Sequence, residues 1–325
     1  MNPHSSSPFV QRRTFDDSDQ MAVFVEGWDI DLMQVEGGRF VGEHVVAGDG
    51  PVLLQGGRTD RALIQRGAGP ARPTFCIPAQ PGLGWTFRGR ECPAELVTIV
   101  RPNEEFTVRS DAGFPISSLS VNERHLRQIA HGIGLERTVD AAMRKGWMRP
   151  NDDAMRQLRI AWNQIAAGPC GHATEFDVER WNNQLEIGLV RVLIQALATD
   201  TGPAEADAAR ALDRIVRGVE SALDRRPRHA FTVRELADAV GVSERTLRRS
   251  VTVWYGASTK KVVRARRLHG ARRDLRAARL DGRVSVTGVA LSWGFEHLGR
   301  FAGDYRSQFD ETPSQTLARI GSSHS

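Results

Sequence analysis

The stretch FTVRELADAVGVSERTLRRSVTVWYG, residues 231–256, spells two short helices joined by a tight turn. Thr232 is placed to cap a helix that runs through Val240, and Gly241 follows where the chain needs a residue tolerant of positive φ. Ser243 caps a second helix only two residues later. Leu236, Ala237, Val240 and Val242 supply a small core, and the arrangement as a whole is a helix-turn-helix. On the second helix Leu247, Val251 and Trp254 recur at i, i+4 and i+7 and should face inward. Arg245, Arg248 and Arg249 fall on the other side, where guanidiniums can read guanine edges or grip phosphates. These three are the candidate base readers, with Ser243 and Thr246 as candidate phosphate or flank contacts; the competing reading is a solvated basic face.

The same grammar returns downstream. Ser285 can cap Val286–Trp293, Gly294 makes the turn, and a further helix runs from about His297 to Phe309. Ala290 precedes Gly294 by four positions, as Ala237 precedes Gly241. Leu298, Phe301, Tyr305 and Phe309 form the expected buried stripe, which leaves Gly299, Gly303 and Arg306 near the opposite face. Few long side chains remain there to read bases, so close backbone approach and phosphate contact are expected, with His297, Gly299, Arg300 and Arg306 as candidates. Helix-to-helix packing is the other use for the two glycines.

Between the copies, at 259–278, lies an expected single helix carrying Lys260, Lys261, Arg264, Arg266, Arg267, Arg272, Arg273, Arg276 and, just past it, Arg279. A rod of that length measures roughly 30 Å and suits two reading helices about one DNA turn apart. Val263, Leu268, Ala271 and Leu275 give its apolar side, and Arg264 and Arg272 are expected against phosphates.

Further outward, charge and pattern divide the chain. The net charge is +5, yet the segment from Glu205 to the end carries +9 and the rest −4, which raises the expectation of nucleic acid as partner. From Phe15 to about Val121 short apolar runs (Met21–Val25, Phe40–Val46, Val52–Leu54, Phe75–Ile77, Leu96–Val100) alternate with Gly-rich turns, as in a small β-barrel or sandwich. Helix-compatible segments follow at Glu123–His131, Asp152–Ala167 and Asp177–Ala198; the last can pack on the barrel or pair two subunits. Thr199–Pro203 reads as a linker and residues 1–13 as a disordered tail. Cys76, Cys92 and Cys170 show no metal-type spacing, and no apolar run is long enough to cross a bilayer. A cytoplasmic location is expected.

Residues 208–319 resemble the C-terminal domain of AraC/XylS-type regulators. The resemblance rests on Gly-Val-Ser-Glu-Arg-Thr-Leu at 241–247, Arg267-Leu268 with Ala271-Arg272 and Leu275, Val286–Leu291, Gly294-Phe295, Arg300-Phe301-Ala302, Tyr305-Arg306, Phe309 and Pro313-Ser314. It implies a seven-helix unit with two helix-turn-helix motifs, with Arg245, Arg248 and Arg249 on the deeper reading helix and Leu298, Gly299 and Gly303 on the other. Thr259 and Val262 depart from the family's usual proline and tyrosine. Gly37–Gly42, Arg58–Ala62, Phe75–Pro78 and Arg101–Phe106 are similar to cupin-like sensor domains, which implies a ligand-binding barrel followed by helices that pair subunits.

The expected fold is therefore α+β and multidomain. A cupin-like barrel occupies 14–121, a helical linker or dimerisation segment 122–199, and an all-α DNA-binding domain 204–325, with its motifs at 232–255 and 285–309. The expected function is a ligand-responsive activator, acting as a homodimer on double-stranded promoter DNA and RNA polymerase, with a small-molecule effector, no cofactor and no membrane. Residues for the effector are not assigned, although Phe40, Phe75, Trp85 and Phe87 are candidates for a pocket or for plain core. A ligand-independent regulator whose barrel serves assembly or partner contact is the alternative. A metal-dependent cupin enzyme is disfavoured because His44 stands alone among the strands, and an alkyl-transfer repair protein because three scattered cysteines make no zinc-held cluster.

Overall fold

The computed structural model of the chain describes residues 10–48, 50–78, 85–88, 90–168, 175–202, 207–277 and 284–318. Its first half runs through β1 (Val10–Phe15), α1 (Ser18–Phe24), β2 (Asp29–Gln34), β3 (Gly42–Ala47), β4 (Val52–Thr59), β5 (Leu63–Ala68), β6 (Thr74–Pro78), β7 (Trp85–Phe87), β8 (Arg90–Glu91), β9 (Val97–Val100), β10 (Glu105–Ser110) and β11 (Ile116–Val121). After these come α2 (Glu123–Gly132), α3 (Glu136–Lys145), β12 (Trp147–Met148), α4 (Asp152–Ala167), α5 (Glu175–Asn183), a π-helical turn at Gln184–Leu189 and α6 (Val190–Leu197).

All recorded strand pairs are antiparallel. They build a seven-stranded sheet ordered β1-β3-β4-β11-β6-β9-β12 and a five-stranded sheet ordered β2-β5-β10-β7-β8. Between the two lies an interior lined from both, the barrel the sequence pattern called for. The outer face of the larger sheet is buried under the helices: Leu54, Phe75, Ile99 and Leu119 form one core with Leu126, Trp162, Leu185, Leu189 and Leu193. Of the two packings open to the Asp177–Ala198 segment, the sheet therefore takes its apolar stripe.

Three expectations change here. Val10–Arg13 are not part of a tail but pair with β3 through Ala47–His44, a ladder that composition cannot reveal; residues 1–9 lie outside the described chain. Met21–Val25 is not a strand, because Asp17 caps the turn by accepting from the Gln20 amide at 3.0 Å and starts α1 instead. A short apolar run alone does not distinguish the two. The expected linker is held: Asp200 accepts from the Lys145 ammonium at 2.6 Å and from the Arg149 amide at 2.7 Å. Pro203, Cys170 and Arg279 lie outside the described residues.

Among the described residues seven helices follow: α7 (Asp207–Arg225), α8 (Val233–Val240), α9 (Glu244–Tyr255), α10 (Thr259–Ala277), α11 (Val286–Ser292), α12 (Leu298–Phe309) and α13 (Pro313–Ala318). Helix α10, roughly 28 Å long at about 1.5 Å per residue, divides its buried side between two cores. Val262, Val263 and Ala265 pack with Leu236, Leu247, Val251 and Trp254 of the first motif. Leu268, Ala271 and Leu275 pack with Ala290, Phe301 and Tyr305 of the second.

Gly270, midway along α10, lies beneath the Trp293 indole, whose ring atoms occupy the space a Cβ would need. Alanine there gains about 1 kcal/mol of helix propensity and incurs about 1–3 kcal/mol of overpacking, so Gly270→Ala is expected to be net destabilising. A thermal unfolding midpoint at or above that of the parent chain would contradict the packing.

Candidate nucleic-acid interface and barrel cavity

The first motif is built by its caps. Thr232 and Glu235 form a capping box in which Thr232 Oγ1 accepts from the Glu235 amide and the Glu235 carboxylate accepts from the Thr232 amide. Those bonds and His229 hold the Glu235 carboxyl down at about 2. Gly241 takes φ 70°, and Ser243 Oγ accepts from the Thr246 amide at 3.2 Å to start α9. The Val242 amide then donates to Ala237 O at 3.0 Å.

The second motif repeats the turn and the first cap, but with Gly288 where Glu235 stands it has no capping box, and His297 gives α12 no side-chain cap. Gly294 takes φ 72°, the Phe295 amide donates to Ala290 O at 2.9 Å, and Ser285 Oγ accepts from the Gly288 amide. The alanine four residues before each glycine is thus the carbonyl that closes each helix, packed where a larger side chain has no room.

On α9, Leu247, Val251 and Trp254 are buried, and Ser243, Arg245, Thr246, Arg248 and Arg249 are exposed together on the outward side. Arg248 is held by Glu244 one turn back at 2.7 Å. On α12, Phe301, Tyr305 and Phe309 are buried, but Leu298 is 39% exposed and does not join the stripe. As the first residue of α12 it lies at the edge of that core, a turn before Phe301. His297, Arg300 and Arg306 are exposed, and a Cβ at Gly299 or Gly303 would meet nothing within 4 Å. The glycines therefore do not serve helix packing; they leave a bare stretch of outward backbone.

The connecting helix departs most from expectation. Arg264 is exposed and pairs with Asp304 at 3.2 Å, but Arg272 is buried between Asp17 at 2.6 Å and Glu311 at 2.7 Å. Arg266 is buried against Glu220 and Asp224, Arg273 binds Asp31 at 2.8 Å, and Arg276 clasps Asp17. Burial raises the Asp17 carboxyl, but Arg276 and Arg272 outweigh it and leave it below the usual range. Arg272, Arg273 and Arg276 thus bind the sheet domain and Arg266 binds α7, which leaves Arg264 on the exposed side. Charge counting missed this because Asp17, Asp19 and Asp31 lie more than two hundred residues away in the sequence.

Backbone contacts complete the junction. The Gln34 side chain donates to Gln308 O at 2.6 Å, and the Gln308 side chain donates to Gln34 O at 2.8 Å. Met33, Val35 and Ile64 of the sheet domain sit in the same core as Trp254.

Inside the barrel, Met21, Val25, Trp28, Ile30, Leu32 and Phe106 belong to the wall of a cavity with about 70 Å³ of water-accessible space. Trp85 and Phe87 of the expected aromatics line it; Phe40 and Phe75 do not. His44 also faces it, its Nε2–H donating to Gln55 Oε1 at 3.3 Å, and burial drives its imidazole down to about 4, so the ring is neutral at pH 7. Among the described residues no three His, Cys, Asp or Glu side chains group as a metal site. No described helix is long and apolar enough to cross a membrane.

Residues 236–319 match the helix-turn-helix domain family. A probable thc operon regulatory protein of Rhodococcus erythropolis is 36% identical over 110 residues, 34% of this chain and 33% of that protein. The XylDLEGF operon transcriptional activator of Pseudomonas putida is 37% identical over 105 residues, 32% of this chain and 31% of its own. A solved structure of a probable AraC family transcriptional regulator from Rhodopseudomonas palustris is 34% identical, covering 32% of this chain and 95% of that one, with a TM-score of 0.30. The chain spans about a third of the length of the curated relatives it matches.

Proposed function

We propose, from the premise that residues 236–319 are a helix-turn-helix domain of the AraC/XylS type, that the chain is a ligand-responsive transcription activator that binds promoter DNA. The observation that carries this reading is the outward row of Arg245, Arg248 and Arg249 on a doubly capped motif, left uncovered by the sheet domain. Helix α9 enters a major groove and its arginines read base edges, flanked by Ser243 and Thr246 on phosphates. Helix α12 lies closer to the backbone, where Gly299 removes steric bulk and His297, Arg300 and Arg306 meet phosphates. A small molecule in the barrel cavity biases the arrangement of the domains. Two chains pair through the helical layer, where Ile160 and Ile187 are exposed, and the activated promoter recruits RNA polymerase in the cytoplasm.

Arg245→Ala and Arg249→Ala are each expected to weaken specific binding by about 1–3 kcal/mol and relax preference at their own base positions. A selection from randomised duplexes measures this. The same preferred sequence from the parent and both variants would remove these residues from the reading role.

A further inference from the structure

The cavity and the domain junction share their wall. Along β2 the side chains alternate: Ile30 and Leu32 line the cavity, whereas Asp31 binds Arg66 at 2.7 Å and Arg273 at 2.8 Å, and Met33 enters the core around Trp254. Helix α1 repeats the division. Met21 lines the cavity, while Asp17 at its N-cap holds Arg272 and Arg276 of α10.

These two elements also lie at the margin of the sheets. Strand β2 is an edge strand, paired on one side to β5, and α1 is a seven-residue helix outside both sheets. Strand β4 of the facing sheet and β10 of the same sheet are laddered on both sides and yield less. An occupant larger than the free space therefore moves α1 and β2 first.

The lining also selects the occupant. Trp28, Trp85, Phe87, Phe106 and Phe114 give it aromatic surface. Among the described residues of the lining the one charged side chain, Arg58, is already bound to Glu43 at 2.8 Å, and His44 is neutral. A carboxylate buried there finds no free cation among the described residues, a costly state.

We propose that the cavity takes an uncharged, largely apolar ring compound and that its entry displaces α1 and β2, loosening the grip of Asp17 and Asp31 on α10. This rests on the ligand-responsive reading above and names the route by which the ligand acts. Release of α10 from the sheet domain lets the two motifs reorient as one body, since their cores share that helix.

The test titrates the full chain with 2-acetylnaphthalene, a neutral bicyclic ketone, following tryptophan fluorescence for binding and amide hydrogen exchange in Ser18–Phe24 and Thr259–Ala277 for release. Saturable binding with several-fold faster exchange in both segments is expected, and 2-naphthoate, the same rings with a charge, should bind about tenfold more weakly or worse. Asp17→Asn keeps an N-cap acceptor while removing the charge. It should raise exchange in Thr259–Ala277 without any probe, and the probe should then add little. Saturable binding with unchanged exchange, or an unaltered probe response in Asp17→Asn, overturns the shared wall while leaving the ligand reading intact. Equal binding of 2-naphthoate overturns the ligand class. No saturable binding of either compound sinks the ligand reading and this proposal with it.

Discussion

Replacing Arg272 with alanine is expected to lower the stability of the full chain by about 3–5 kcal/mol, the usual cost of removing one partner from a buried ion pair. The guanidinium is 4% exposed by residue, bridges Asp17 and Glu311, and lies over the Phe309 ring at 4.4 Å. Its loss leaves Asp17, itself buried, to Arg276 alone among the arginines that now hold it. Desolvation already works against that carboxylate, so part of the cost is the charge left behind. Had Arg272 been a phosphate contact, the same substitution would leave stability nearly unchanged and reduce the salt slope of DNA binding by about one. Denaturant midpoints at neutral pH, with binding measured at several ionic strengths, separate the two. A stable variant with a shallower salt slope would refute the buried role.

Trp254→Ala is expected to destabilise by about 3–5 kcal/mol and to abolish specific binding at the temperature where the parent binds. The indole is 1% exposed on the inward side of α9, opposite the arginines, and shares a core with Leu236, Leu247 and Val263. Its Nε1–H is buried without a hydrogen-bond partner among the described residues. Trp254→Phe, which removes that unsatisfied donor and keeps much of the apolar volume, should therefore cost well under half as much. Equal losses in the two variants, read by chemical denaturation, would show that the indole nitrogen matters more than the packing.

The two motifs were legible because their information is local. A cap, a glycine with positive φ and an i, i+4, i+7 stripe lie within a dozen residues, and each reappears in the hydrogen bonds of Thr232, Gly241, Ser243 and their counterparts Ser285 and Gly294. The barrel was legible as a pattern of short runs and turns, but not α1, whose cap at Asp17 is hidden by an apolar run that fits either structure. The destination of the α10 arginines could not be read at all. The eight cations of α10 look alike in sequence, and only the fold brings Asp17, Asp19 and Asp31 across to claim four of their bonds. The alternation of Asp29–Gln34 was the available sign, since aspartates between apolar residues on a strand with one buried face need partners on the other.

Helix α10 lends half of its length to the interior of each motif. No flexible joint inside that beam lets one unit drift while the other holds on. On the proposed reading the chain works as a ruler of fixed gauge, and the burden of fit passes to the promoter. Inserting about five base pairs between the two contacted stretches turns one of them to the far side of the duplex, beyond the reach of its unit.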